Sequence, residues 1–250
     1  VAKFVLKGVR LFAGGADLTG VSNSVEVNAE IAEQEATAFN PSDSDMVWRE
    51  VLAGLASTSI SAEGQWEAGD AGMVDDASWA GLGGVGPWTI CPRGASTVGD
   101  LAWVTRAMRA SYALGGQVGD VAPWTASASG SWPLARGEVL HLPGAPRSAD
   151  GAGAARQVGA LSATRALYVT LHVLSVAGDA ASITVAVESD DNAAMDTPTV
   201  RATFDAASSR GGQALAIPGP VTDDWWRVTW TVTGTSPSFL FVVAAGTGPA

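Results

Sequence analysis

Catalysis needs acids, bases, nucleophiles or metal ligands at workable spacing, and this chain offers few. Its only histidines, His141 and His172, stand far apart in sequence. A lone imidazole on a strand is ordinarily a satisfied structural group rather than a ligand. The one cysteine, Cys91, precedes Pro92 with no histidine beside it, which reads as a structural thiol. Asp75-Asp76, Asp190-Asp191 and Asp223-Asp224 are acid pairs of the residue type used in glycoside hydrolysis. Adjacent residues point different ways, however, so solvated turns are the simpler reading. The run ESDDNAAMD at 188–196 has oxygens enough for calcium but lacks EF-hand spacing. No HExxH, GxxxxGK[ST] or GxSxG is present. The chain therefore reads as non-enzymatic, with no catalytic residue, no metal and no cofactor.

Composition narrows the field further. The 250 residues include 14 basic and 25 acidic side chains, a net charge of −11. That balance argues against a nucleic-acid grip, which needs a basic stripe. A hydrophobic fraction of 47% is ample for a core. No apolar run has the length that spans a bilayer. The opening VAKFVLKGVR lacks the apolar stretch and cleavage site of a secretory signal. A single cysteine excludes an internal disulfide framework and fits folding in a reducing cytosol.

The elements that must position any site are mostly strands. Residues 21–31 alternate strictly, with Val21, Val25, Val27, Ala29 and Ile31 opposite Ser22, Ser24, Glu26, Asn28 and Glu30. Residues 57–67 repeat the pattern, with Ile60, Ala62 and Trp66 opposite Ser59, Ser61, Glu63, Gln65 and Glu67. A period of two marks a strand with one buried face. Here the wet face is acidic and hydroxyl-rich, which suits a surface that repels something negative. Strands are also expected over 4–12, 100–114, 125–132 and 134–140, the third-last of these against competing helix propensity. Residues 32–45 read as a loop. Asp45 is placed to cap a short helix over 46–55, with Trp48, Val51, Leu52 and Leu55 at helical spacing. A second short helix is expected within 71–83, with Trp79 and Leu82 inward. The tract around Pro87-Trp88 and Cys91-Pro92 reads as a loop or short edge strand.

The second half is plainer. ALYVTLHVL, SITVAVE, WWRVTWTVT and FLFVV alternate, and TVRATF and ALAI are shorter strands between turns. That pattern indicates an antiparallel sandwich. Trp226 and Trp230 fall on its inner face, whereas Tyr168 and Trp225 point the other way. These two are the candidates for an outer-surface glycan or subunit contact, since exposed aromatics serve both. The stretch 141–160 has linker chemistry, rich in Pro, Gly, Ala and Ser. Two units follow, 1–145 and 146–250. The fold class is all-β: an N-terminal sandwich or barrel with one or two short helices, then an immunoglobulin-like or jelly-roll sandwich.

The first unit resembles a known family. Asp17-Leu18-Thr19-Gly20, then Asn23-Ser24-Val25-Glu26-Val27, then Thr37-Ala38-Phe39 follow one another in order. With the later GLASTSISAEGQWEAGD, this order and spacing resemble siphophage major tail tube proteins over roughly residues 4–140. The resemblance implies a β-sandwich that forms hexameric rings, stacked into a hollow tube whose inner face is a β-barrel. It implies a structural virion protein of the tail, made in the host bacterial cytoplasm, through which DNA passes without specific binding. Its partners would be copies of itself and other tail proteins: tape measure, tail terminator and distal tail. The early strands would then put Glu26, Glu30, Glu63 and Glu67 on the lumen. Residues 146–250 would decorate the outer surface. The alternative is a carbohydrate-binding or adhesion protein of a virion or cell surface.

Overall fold

The structure, a computed structural model, describes residues 5–37, 48–70 and 72–250. Alternating apolar residues make it all-β apart from two short turns of helix. A hairpin of β1 (Arg10–Ala13) and β2 (Ala16–Asp17) opens the chain, and a 3-10 turn at Thr19–Val21 follows. Next come β3 (Ser22–Glu35), β4 (Val51–Gln65) and the helix α1 (Val74–Ala80). The first half ends with β5 (Val85–Cys91), β6 (Leu101–Leu114), β7 (Pro123–Gly130) and β8 (Ala135–His141). The second half holds β9 (Gly151–Ala152), β10 (Arg156–Gln157), β11 (Arg165–Asp190), β12 (Thr199–Thr203), β13 (Gly211–Pro218) and β14 (Trp225–Pro249).

One hydrogen-bonded path runs β12-β11-β14-β8-β6-β5-β1-β2. A branch leaves β6 through β7 and β4 to β3. Four strands, β3-β4-β7-β6, thus make an antiparallel four-stranded arm of the one large sheet. One side of it packs Val25, Val27, Ile60, Ala62 and Trp124 against Leu11, Leu18, Trp88 and Val74 of α1.

β11 and β14 pair from Arg165↔Pro249 to Asp190↔Trp225. The expected strands near 167–173 and 183–187 are therefore one continuous strand of 26 residues. Run straight, it would span about 85 Å. Yet Leu167, Val169 and Leu171 share one core with Ile183, Val185, Val187, Trp226, Trp230 and Phe241. The ribbon must fold back on itself, and its two ends become the two layers of the C-terminal sandwich. The register slips between Ala177 and Ser182 mark the elbow. Gly178 and Gly234 sit there at φ 108° and 110°, a region glycine tolerates. A Cβ on Gly178 would lie 2.7 Å from the Ser236 carbonyl oxygen, and one on Gly234 would lie 2.7 Å from the Ala181 Cα.

Several expectations change. The described part of the expected 46–55 helix is the start of β4 from Val51 onward, and Asp45 lies outside the described residues. Ladder bonds carry the β3 pairing to Glu35↔Val51, and they outweigh a short helical spacing of apolar residues. Ala38 and Phe39 also lie outside the described residues. α1 turns Val74 and Ser78 inward and leaves Trp79 70% exposed, the reverse of the expected face. β5 is an interior strand, paired with β1 and β6. Among the described residues of the expected 4–12 strand, strand begins at Arg10. The stretch 141–160 is no free connector. Arg147 bridges to Phe239, β9 pairs with Thr229 and Trp230, and β10 pairs with Trp225 and Trp226. Arg156 also grips Glu138 of β8 with two hydrogen bonds, at 2.8 and 3.1 Å.

Replacing Gly178 with Val forces a branched side chain into a left-handed conformation and a carbonyl oxygen. The expected loss is about 2–4 kcal/mol, read as a melting temperature lower by roughly 5–15 °C. Gly144→Ala is the control, since a Cβ there meets nothing within 4 Å.

Candidate functional site

The four-stranded sheet has one covered side and one bare side. On the bare side, Ser24, Glu26, Asn28 and Glu30 of β3 register with Glu63, Ser61, Ser59 and Ser57 of β4. Glu63, Ser61 and Ser59 register in turn with Thr125, Ser127 and Ser129 of β7. Ser111 of β6 meets Ser127, oxygen to oxygen, at 2.7 Å. All are exposed except the half-buried Ser127. A shift of one residue would bury Glu26 and Glu63 and expose Val27 and Ile60. Since a buried Ile is worth about 1.5–3 kcal/mol, and a buried unpaired carboxylate is opposed by several, the register is strongly specified.

Glu26, Glu30 and Glu63 therefore share one face. Glu67 lies two residues beyond the end of β4, exposed, with its carbonyl accepting the Asp75 N–H at 3.0 Å. Arg106 stands at a far corner of the same face, its guanidinium 5.9 Å from the Trp132 ring centre. The hydroxyls of β6 and β7 did not figure in the sequence reading, although TASASG at 125–130 alternates hydroxyl with small residues.

Beyond Ser59, β4 has no neighbour but β3 among the described residues. Residues 29–35 and 51–57 form a projecting two-stranded ribbon with Ile31 59%, Leu52 54% and Leu55 86% exposed. The ribbon carries Glu33 and Glu35, both within 4 Å of Arg49. At the opposite end of the sheet, the β6–β7 connection exposes Leu114, Val118 and Val121. Open edges among the described residues are the outer side of β3, the side of β4 away from β3 over 51–57, and the stretch 110–114 of β6 past its pairing with β5.

α1 is anchored behind this sheet by β6. The Tyr112 hydroxyl and the Trp66 indole N–H both donate to Asp75, at 2.6 and 3.0 Å, and hold its carboxyl below the usual range. Arg109 donates to the carbonyls of Ala13 and Ala77 and lies 5.6 Å above the Trp88 ring.

Tyr168 and Trp225 do not form one surface. Tyr168 is buried, 5.1 Å from the Trp132 ring, and its hydroxyl donates to the Pro249 carbonyl at 2.6 Å. Its exposure was expected because its side of β11 alternates away from the core; that side is covered by the first half of the chain instead. Trp225 is half-buried at the far end of β11, opposite Asp190. Among the described residues no group of His, Cys, Asp and Glu is arranged to hold a metal ion. In the 188–196 run, the Asp190 carboxylate is occupied by the N–H groups of Asp191 and Thr197 and by the Asn192 amide. Cys91 is buried, which pushes its thiol up to about 12.

No family model matches this sequence, and no curated protein matches it. Solved structures do. The tail of an empty gene transfer agent particle, refined with C6 helical symmetry, is 20% identical with a TM-score of 0.39; the match covers 50% of this chain and 91% of that one. The virion of the native gene transfer agent gives 17% identity and a TM-score of 0.36, over 46% and 84%. The Dit protein of phage SPP1, described as a paradigm of the hub adsorption apparatus in phages of Gram-positive hosts, gives 9% and 0.36, over 97% and 100%.

The two histidines supply a pH test. His172 is fully buried: Gly15 N–H donates to its Nδ1 at 3.4 Å, so its Nε2–H donates to Thr89 Oγ1 at 2.9 Å. Thr89 contacts Thr170 Oγ1 at 2.7 Å, and Thr170 donates to the Ala244 carbonyl at 3.3 Å. His141 stacks on Phe241 at 4.0 Å and accepts from Arg147 at 3.4 Å. Burial, then the nearby arginines Arg109 and Arg147, lower the two imidazoles to about 3 and about 4. Both lie below the unfolded value, so the unfolded chain binds more protons between. Stability is full above about pH 6.5 and falls as pH drops toward 4. Urea unfolding at pH 5 should give roughly 2 kcal/mol less per imidazole than at pH 7. His172→Asn should flatten that slope.

Proposed function

We propose that this chain is a major tail tube subunit of the siphophage type, a non-enzymatic virion protein. Copies close side by side into rings, sixfold in the resembled family, and the rings stack into a conduit for DNA. The observation that carries this reading is the bare face of the four-stranded sheet. The opposite face is already covered by α1, β1 and β5, so only the acid- and hydroxyl-lined face is left to look into a lumen. Such a lining suits a channel for DNA. Cationic walls would release counterions and trap the duplex, whereas carboxylates repel phosphate and keep water between.

The edges support closure. Three antiparallel steps separate β3 from β6, so the two run in opposite directions. The β3 edge of one copy can therefore pair antiparallel with 110–114 of the next, and closure covers these two edges. Apolar groups at opposite ends of the sheet, the ribbon and the β6–β7 connection, suit head-to-tail stacking, a contact that propagates without closing. On this reading residues 1–145 form the ring, and residues 146–250 lie on the outside. Other tail proteins (tape measure, terminator, distal tail) meet the tube ends. The subunit is made in the host cytoplasm and ends in the virion tail.

Purified chain at high concentration should give rings or hollow fibres in negative-stain micrographs; a monomer at every concentration refutes the proposal. Glu26→Lys with Glu63→Lys should leave assembly intact and give tubes that retain DNA, most strongly at low salt. Unchanged passage would place that face away from the lumen. A chain ending at Gly144 keeps the ring elements, and thinner tubes are the expected result. It also uncovers the apolar side of β8, so its solubility should fall. A soluble, folded truncation unable to polymerise would put the last hundred residues into the ring contacts.

A further inference from the structure

The chain has two lysines, Lys3 and Lys7, and every other basic residue except the histidines is an arginine from Arg10 onward. Phe4, Val5 and Leu6 stand between them. Val5 is 73% and Leu6 61% exposed. A basic and apolar arm that includes Val5, Leu6 and Lys7 thus precedes β1 in a strongly acidic chain. Residues 6–9 border a cleft shared with Thr19 and residues 22–25, so the arm leaves on the β3 side of the four-stranded sheet.

A different groove, of about 730 Å³, opens on the β6 side. α1, the Gly14-Gly15 turn and Arg210 frame it, and Trp79 stands in it 70% exposed. Its acidic groups are held in place. Asp75 takes the Tyr112 and Trp66 donors, Asp76 accepts the Gly69 N–H at 2.8 Å, and Asp70 is 3.5 Å from Arg210. Arg109, the other cation there, is taken up by two carbonyls. The groove therefore presents fixed carboxylates beside an open aromatic face, the complement of a basic and apolar segment.

We propose that the arm of one subunit latches into the α1 groove of its neighbour. The inference rests on the ring reading above. There the β3 edge of one copy abuts the β6 edge of the next, which brings arm and groove together across the junction. Within one chain they lie at opposite ends of β1: the arm precedes Arg10, and Gly14, Gly15 and Ala16 line the groove. Lys7 approaches Asp70 and Asp76, while Val5 and Leu6 cover Trp79.

The scarcity of lysine makes the test selective. Tubes grown from mixed 14N- and 15N-labelled full-length chains are treated with a zero-length carbodiimide, which joins amines to carboxylates. Mass spectrometry should find Lys7 joined to Asp70 or Asp76 between chains of different label. Leu6→Asp should raise the critical concentration for tube growth by about tenfold or more. Lys7→Glu should raise it a few-fold at low salt and less at high salt. Melting temperatures should stay unchanged. Tubes that form with cross-links only within a chain, or with Leu6→Asp assembling at the wild-type concentration, overturn the latch and leave the ring reading standing. A wild-type chain that forms no tubes overturns both.

Discussion

Leu167, Val169, Leu171 and Val173 project from one side of β11 into the core of the bent ribbon. Ala166, Tyr168 and Leu174 project from its other side onto Phe12, Val104 and Val139 of the first half. A strand buried on both faces leaves no water for its polar side chains, so each needs a protein partner. His172, Thr170 and Thr89 meet that demand as a directed chain of donors that ends on the Ala244 carbonyl. The same constraint explains why Tyr168 is inside and why its hydroxyl is tied to Pro249. Two halves that look separable by composition are thereby joined through one strand.

The four-stranded sheet obeys the opposite rule. Its back is apolar and its front is hydroxyl and acid; the covered and bare sides alternate with a period of two from Ser24 to Asn28, and past that point Ala29 and Ile31 of the back are exposed as well. Neither side tolerates exchange: the back would lose its packing against Trp88 and Leu11, and the front would bury carboxylates. Arg109 and Asp75 then fix α1 against β6, which sets the shape of the groove beside α1.

Much of this is legible in the residues themselves. The strict alternation at 21–31 and 57–67 identifies the long strands and their wet faces, because a period of two has few other readings. Trp226 and Trp230 fall inside as their spacing implies. What stays hidden is whatever depends on a neighbour in space. Trp48, Val51, Leu52 and Leu55 suit a helix by local spacing, and only the partner strand decides against it. Tyr168 and His172 look outward until the other half covers them. The Gly/Pro-rich run at 141–160 has the composition of a linker, yet short bridges lay it along β14. Glu67 continues the alternation beyond the residue where β4 ends. The elbow of the ribbon is carried by Gly178 and Gly234, which look like ordinary turn glycines in sequence.

The projecting ribbon bears on how such a chain would polymerise. Two strands with no third are marginal in water, and here Ile31, Leu52 and Leu55 gain nothing from the subunit's own core. On the proposed ring reading, a second molecule that covers residues 29–35 and 51–57 would add the packing that they lack. The first contact must bear the entropy of fixing the ribbon, while each later addition meets a ribbon already held at the growing end. If the proposed tube forms, growth of that kind would show a lag, a sharp concentration threshold and rapid elongation from any pre-existing end, so a preformed end would decide where and when a tube begins.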